Sequence, residues 1–132
     1  MRTATQKPRP KYLSLSALLF EIHLPLPGWI SILHRVSGVL LFAATAWLLF
    51  VLDRSLASEQ GFEFAKRYAS LPLVKISLIV LIWAYCHHFC AGIRFLFLDL
   101  DKGVDKASAR LTSTAVLVAS LALTVFFGVR LW

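Results

Sequence analysis

Charge is scarce in this chain. Of its 132 residues only 16% are charged, 58% are hydrophobic, and the mean hydropathy is +0.73. A soluble domain of this length has too little interior to hide so much apolar surface, so an ordinary water-soluble fold is excluded and lipid is the natural solvent. Cysteine is scarce too. Cys86 and Cys90 lie four apart inside an apolar run, one turn apart on a single helix, which excludes a disulfide framework. With His87 and His88 between them they invite reading as a metal cluster. Four near-consecutive helical residues, however, point in too many directions for the converging ligands of a zinc site, and both thiols read as small apolar packers. No internal repeat or low-complexity tract is present. Residues 1–11 are polar and basic, without the apolar segment and small-residue cleavage site of a signal peptide, and the arm is short for an organelle transit sequence. That points to a bacterial source.

What charge there is has the wrong distribution for nucleic acid. The net charge is +7, yet the 14 Lys and Arg are not gathered on one polar face. They sit in the N-terminal arm and at the ends of apolar runs, where they anchor a protein at an anionic leaflet. Three such runs are long enough to span a membrane: residues 29–52, 76–98 and 111–129. The first would be about 36 Å long as a helix, against about 30 Å of hydrocarbon. Leu24-Pro25-Leu26-Pro27-Gly28 leads into it and Asp53-Arg54 is expected to end it; Lys75 opens the second run, and Asp99-Leu100-Asp101-Lys102-Gly103 closes it. Residues 1–28 form an arm in which the amphipathic stretch 12–22 suits a short interfacial helix, and residues 29–132 form the transmembrane domain. Arg2, Lys7, Arg9 and Lys11 in the arm, with Lys102, Lys106 and Arg110 in the second connection, outweigh Arg54, Lys66 and Arg67 in the first. The positive-inside bias therefore puts the N-terminus and the second connection in the cytoplasm.

Polar groups inside a span are costly, and each one asks for a function. Ser31, His34, Arg35 and Gly38 share one helical stripe that continues through Phe42 and Thr45, with Arg35 about 10 Å into the span. Snorkelling accounts for an Arg alone but not for a His and a Ser on the same face. In the second span His88 shares a stripe with Ala84, Ala91, Gly92 and Phe95, and small residues around an imidazole leave room for a flat bulky group such as haem. His87 points about 100° away, so the two imidazoles cannot serve one haem together. Taken alone, an intramembrane His is often a satisfied polar contact. Here the depths agree: His88 lies about 15 Å from the cytoplasmic end, close to the level of Arg35. A haem on His88 would turn its propionates towards His34 and Arg35. A ligating imidazole also needs its other nitrogen held, so an acceptor is expected on a neighbouring helix or carbonyl.

At these residues the sequence resembles the cytochrome b subunit family of succinate dehydrogenase. Three motifs carry the resemblance in order: Arg9-Pro10, then Ser31-x-x-His34-Arg35-x-Ser37-Gly38, then His88-x-x-x-Gly92-Ile93-Arg94-Phe95 closing with Asp99. The resemblance covers nearly the whole chain. It implies an all-α membrane protein of three transmembrane helices, packed with a partner anchor subunit into a haem-binding helical bundle. It implies that His88 is one axial ligand to haem b and that the partner supplies the other. It implies that Ser31 and Arg35 line a ubiquinone pocket, and that His34 and Arg35 lie near the haem propionates. Succinate oxidation would belong to a flavoprotein and an iron–sulfur subunit, leaving this chain no catalytic residue for succinate within complex II of electron transport and the tricarboxylic acid cycle. The implied location is the bacterial inner membrane, with the mitochondrial inner membrane as alternative. Two departures stand out: Lys11 occupies a position where the family has an apolar residue, and His87 is an additional His beside the ligand. A quinol:fumarate reductase anchor and a purely structural anchor are the rival readings; the second gives no reason to keep Arg35 and His88 in lipid.

Overall fold

The structure, a computed structural model, describes Ser14 and residues 24–131. Four helices follow in order: α1 (Leu26–Ala57), α2 (Glu59–Ala69), α3 (Pro72–Asp99) and α4 (Lys106–Leu131), with no strand among the described residues. The helices α1, α3 and α4 are long and apolar enough to cross a membrane. The surface stretch expected at 12–22 lies outside the described residues, Ser14 excepted.

All three long helices overrun the expected spans. At 32, 28 and 26 residues they are about 48, 42 and 39 Å long, so their ends stand beyond the hydrocarbon. Proline does not delay them. Pro25 caps α1 in an extended conformation, Pro27 sits in its first turn, and Pro72 opens α3, all where a helix has no N–H to lose. Nor do Asp53 and Arg54 end α1, which continues to Ala57, because charged residues at the membrane surface satisfy the bilayer without breaking a helix.

The first connection is itself a helix. Ser58 caps α2 by accepting the Gly61 N–H at 3.0 Å, and Glu59 at its start and Lys66 and Arg67 at its end suit the helix dipole. Its polar residues Glu59, Glu63, Lys66 and Arg67 share one side. Gly61, Ala65 and Tyr68 turn towards α1, where the Tyr68 ring meets Trp47 edge-on at 6.2 Å. A side chain at Gly61 would collide with the Arg54 carbonyl, so glycine is what lets α2 fold back on the end of α1. The second connection closes α3 with a Schellman turn: Lys102 N–H bonds Phe97 O and Asp101 N–H bonds Leu98 O, both at 3.0 Å, with Asp101 in the left-handed region at φ 55°. Gly103 follows at φ 72°.

Asp105 then starts α4, its Oδ1 accepting the Ala107 and Ser108 N–H groups at 3.1 and 2.9 Å. Hydrogen bonds from Ser108, seconded by Ala107, hold this carboxyl below the usual carboxylate range. A lowered value stabilises the fold at pH above the ordinary carboxylate range and loses that contribution as pH falls through the depressed value. Asp105→Asn should keep the cap while removing this pH dependence, read as pH-independent hydrogen-exchange protection in the first turn of α4. Asp105→Ala should lower protection throughout.

Helix α3 is the central element, packing against α1 on one side and α4 on the other. The interface is small and polar rather than oily. The buried positions are Ile30, Val74, Ala84, Cys86, Ala91 and Val116, joined by Ser37, His87, Arg94, Ser113 and Ser120. The serines return their hydroxyls to their own helices, at His34 O, Ala109 O and Leu117 O. Small side chains let backbones approach, as membrane helices require when lipid outside is as apolar as any core. Ile30, Ala91 and Val116 bring α1, α3 and α4 together in one contact. The outer faces stay apolar and exposed, for lipid or a partner chain to cover.

Candidate functional site

Where α1 crosses α3, two histidines face each other. The rings of His34 and His88 stack with centroids 4.1 Å apart and planes 10° from parallel, with Phe95 against the far side of His34 at 5.0 Å. His88 Nδ1 lies 3.0 Å from the His34 carbonyl and 3.2 Å from Ser37 Oγ, and Ser37 Oγ–H donates to that same carbonyl at 2.9 Å. A carbonyl only accepts, so Nδ1 carries the proton and Nε2 is the basic nitrogen. Nε2 makes no hydrogen bond among the described residues.

Glycine makes the approach possible. A Cβ on Gly38 would stand 2.9 Å from His88 Cε1 and 3.3 Å from Nδ1; a Cβ on Gly92 would stand 3.7 Å from His34 Nε2. The first is closer than carbon atoms tolerate and the second is ordinary contact, so Gly38 is the position that admits the ring. Clearance for His88 thus comes from across the helix interface. Ala84 and Ala91, which share its stripe, are spent on packing the bundle, where both are fully buried.

His87 lies in that interior, 0% exposed, stacked on Trp83 at 5.4 Å, with a loose contact to the Ile30 backbone and no well-formed hydrogen bond at either ring nitrogen. A planar cofactor cannot reach it without parting the helices. His88 is half-buried at the edge of the bundle, with one nitrogen held and the other carrying a free lone pair. This donor set suits haem iron: an imidazole fixed in tautomer and direction by a backbone carbonyl, with its Nε2 making no hydrogen bond among the described residues.

Ser31 and Arg35 stand apart from this pair. Ser31 is half-buried, while Arg35 is exposed and makes no ion pair or hydrogen bond among the described residues. They lie on the flank of α1 next to the face used by Ile30, His34 and Ser37, and by Phe42, 85% exposed, that flank has turned fully outward. The chain therefore brings His34 to His88 by itself, and leaves Ser31 and Arg35 on a face that α3 and α4 do not cover. The polar contact of Ser37 and the clearance at Gly38 are visible in the sequence only as part of a motif; which of their faces meets α3 is set by the helix crossing.

The chain matches the family model described as the succinate dehydrogenase/fumarate reductase transmembrane subunit over residues 5–127. It belongs to that family. Among curated relatives it is similar to the succinate dehydrogenase cytochrome b556 subunit of Rickettsia typhi, 34% identical over 76% of this chain and 77% of the relative. The subunit of the same name from Paracoccus denitrificans is 33% identical over 86% and 91% of the two chains, and that from Coxiella burnetii 30% identical over 86% and 92%. Its helices and this membership together make it an all-helical, multi-pass membrane protein.

Proposed function

We propose that this chain is the haem b-carrying membrane anchor of a succinate dehydrogenase, and that with a second small anchor subunit it forms the site where ubiquinone is reduced. The observation that carries the reading is the His88 imidazole, held at Nδ1 by the His34 carbonyl and open at Nε2. Membership of the family and the cytochrome b556 names of the relatives agree with it. Haem b bound there supplies a one-electron carrier in the bundle. His88 would hold its iron through Nε2 from this chain, and the partner anchor would supply the second ligand. His34, stacked on His88, and Arg35, one residue on, would meet the propionates, a guanidinium being a natural partner for carboxylates.

Flavoprotein and iron–sulfur subunits oxidise succinate and deliver the electrons, so the residues of this chain act on quinone alone. Ser31 donates its hydroxyl to a quinone oxygen. Arg35 stabilises the charge that develops there on reduction and keeps its own proton, so protons reach the quinone through water or the partner. The exposure of Arg35 supports this arrangement, because a guanidinium at that depth with no partner among the described residues is free to meet a bound ligand. The complex sits in the bacterial inner membrane, with the N-terminus and the α3–α4 connection towards the cytoplasm, or in the mitochondrial inner membrane with the same ends in the matrix.

Ser31→Ala and Arg35→Leu should each lower succinate:ubiquinone turnover at least tenfold, the scale of a lost transition-state donor being about 10²–10³. Succinate oxidation with an artificial acceptor should be kept. Equal loss of both activities would mean failed assembly and would remove the quinone pocket from this face. The family also includes fumarate reductase anchors. Faster turnover with menaquinol and fumarate than with succinate and ubiquinone would assign the complex to that direction.

A further inference from the structure

Arg94 is a buried charge that the haem and quinone reading leaves without a task. It is 7% exposed, its Nε donates to Thr112 Oγ1 at 3.1 Å, and its guanidinium rests over the Phe95 ring at 5.5 Å. Thr112 Oγ1 donates in turn to Ser108 O at 2.9 Å, so its lone pair is turned to Arg94 and fixes the plane of the guanidinium. No carboxylate stands within ion-pair distance of Arg94 among the described residues. Its remaining N–H donors have no acceptor there either and reach the surface of the bundle, and a guanidinium left unpaired within a span calls for an anion.

A groove of about 450 Å³ opens beside it between α3 and α4. Arg94 and Lys102 line its end at the α3–α4 connection; Phe97 stands between them, and Cys90, Ala115, Val116 and Ala119 wall the part that runs deeper between the helices. Cations at the membrane surface and an apolar trough below them match an amphiphile with an anionic head. A quinone head offers acceptors but no charge to match two cations, and a free anion would leave the trough unfilled.

We propose that this groove seats one anionic phospholipid, its phosphate between Arg94 and Lys102 and one acyl chain along the α3–α4 trough. The site is separate from the His34–His88 pair and does not depend on haem or quinone binding. Charge complementarity sets the head. The depth of the trough comes from Ala115 and Ala119, which lie one helical turn apart on α4.

The test uses the intact complex, purified in mild detergent through a tag on this chain, stripped of lipid and titrated in native mass spectrometry. The probes are dioleoyl phosphatidylglycerol, dioleoyl phosphatidylcholine and inorganic phosphate. Phosphatidylglycerol should bind one tight site at least tenfold more strongly than phosphatidylcholine. Arg94→Gln should weaken that site at least tenfold and Lys102→Gln about fivefold, the worth of one surface cation against an anionic lipid. Lys102 is exposed, so its variant keeps the fold if Arg94→Gln does not assemble. Ala119→Phe fills the trough without touching either cation and should weaken the lipid as well. Equal binding of the two lipids, or phosphatidylglycerol binding unchanged in the Lys102 and Ala119 variants, would overturn the proposal. Displacement of the lipid by inorganic phosphate at equal concentration would assign a free-anion site instead. Loss of a partner subunit from Arg94→Gln, with lipid binding intact, would assign Arg94 to a carboxylate of that subunit.

Discussion

His88→Leu should yield a complex that has lost most of its haem or holds it in a high-spin, five-coordinate state, read from the reduced-minus-oxidised absorbance spectrum. The argument starts with the proton on Nδ1. The His34 carbonyl at 3.0 Å and Ser37 Oγ at 3.2 Å both lie at that nitrogen, and the carbonyl fixes the tautomer, so Nε2 is the basic atom. Leu offers no lone pair, so the iron would lose the ligand proposed from this chain. His87→Leu is the contrasting variant. Both nitrogens of His87 are buried without a well-formed hydrogen bond, the Ile30 backbone offering only a loose contact, and a poorly satisfied buried polar group costs about 1–3 kcal/mol, so an apolar side chain of similar volume should keep or raise thermal stability. The low-spin spectrum should survive it. His34→Leu should also retain iron ligation, because the carbonyl that holds His88 is backbone and remains; the stacked ring is what it removes. A spectrum that survives loss of His88 but not of His87 would place the cofactor on the other face of α3. The interior contact of Ile30, Ala91 and Val116 would then have to open to admit it.

The parts of this architecture that depend on the chain alone are legible in its sequence. Three uninterrupted apolar runs dictate three helices because lipid leaves the backbone no other way to satisfy its hydrogen bonds. Their ends are less legible. Asp53 and Arg54 look like a stop, yet a helix emerging into headgroups meets no reason to end at a charge, and α1 runs on to Ala57. The short helix α2 was missed as an element, although Ser58 as cap and the apolar residues Gly61, Phe62, Ala65, Tyr68 and Ala69 against Glu59, Glu63 and Lys66 trace one helical period. It is too polar to register as a span and short enough to pass for a loop. The site was half legible. Periodicity brings His34 within one turn of Arg35 and Gly38, but rotation about the α1 axis decides which of them meets α3. That rotation follows from the packing of Ile30 and Ser37, a property of two helices together. The outward position of Arg35 has the same origin. No partner for it stands among the described residues, so the helix pattern around Arg35 does not point to one.

Gly38→Val should be as damaging to the haem site as loss of the ligand itself. The contact at issue is a Cβ 2.9 Å from His88 Cε1, inside the distance at which carbon atoms meet. A side-chain tip ordinarily swings away from such an intrusion at little cost. The imidazole of His88 cannot, because its Nδ1 is tied to the His34 carbonyl and its face lies on the His34 ring at 4.1 Å. Relief must come from parting α1 and α3 or from breaking that hydrogen bond, and overpacking of this kind costs about 1–3 kcal/mol. Gly38→Ala should keep haem but turn the ring, giving shifted low-spin electron paramagnetic resonance signals and a changed reduction potential. The two β-methyls of Val add bulk that the interface has no room for, and haem content should fall to that of His88→Leu. Gly128 is the control: a Cβ there meets nothing within 4 Å, so Gly128→Ala should leave spectrum and assembly unchanged. Full haem occupancy with unshifted resonance signals in Gly38→Val would mean that α1 does not press on His88 in the assembled complex. The ligand would then owe its direction to the partner subunit rather than to this helix pair.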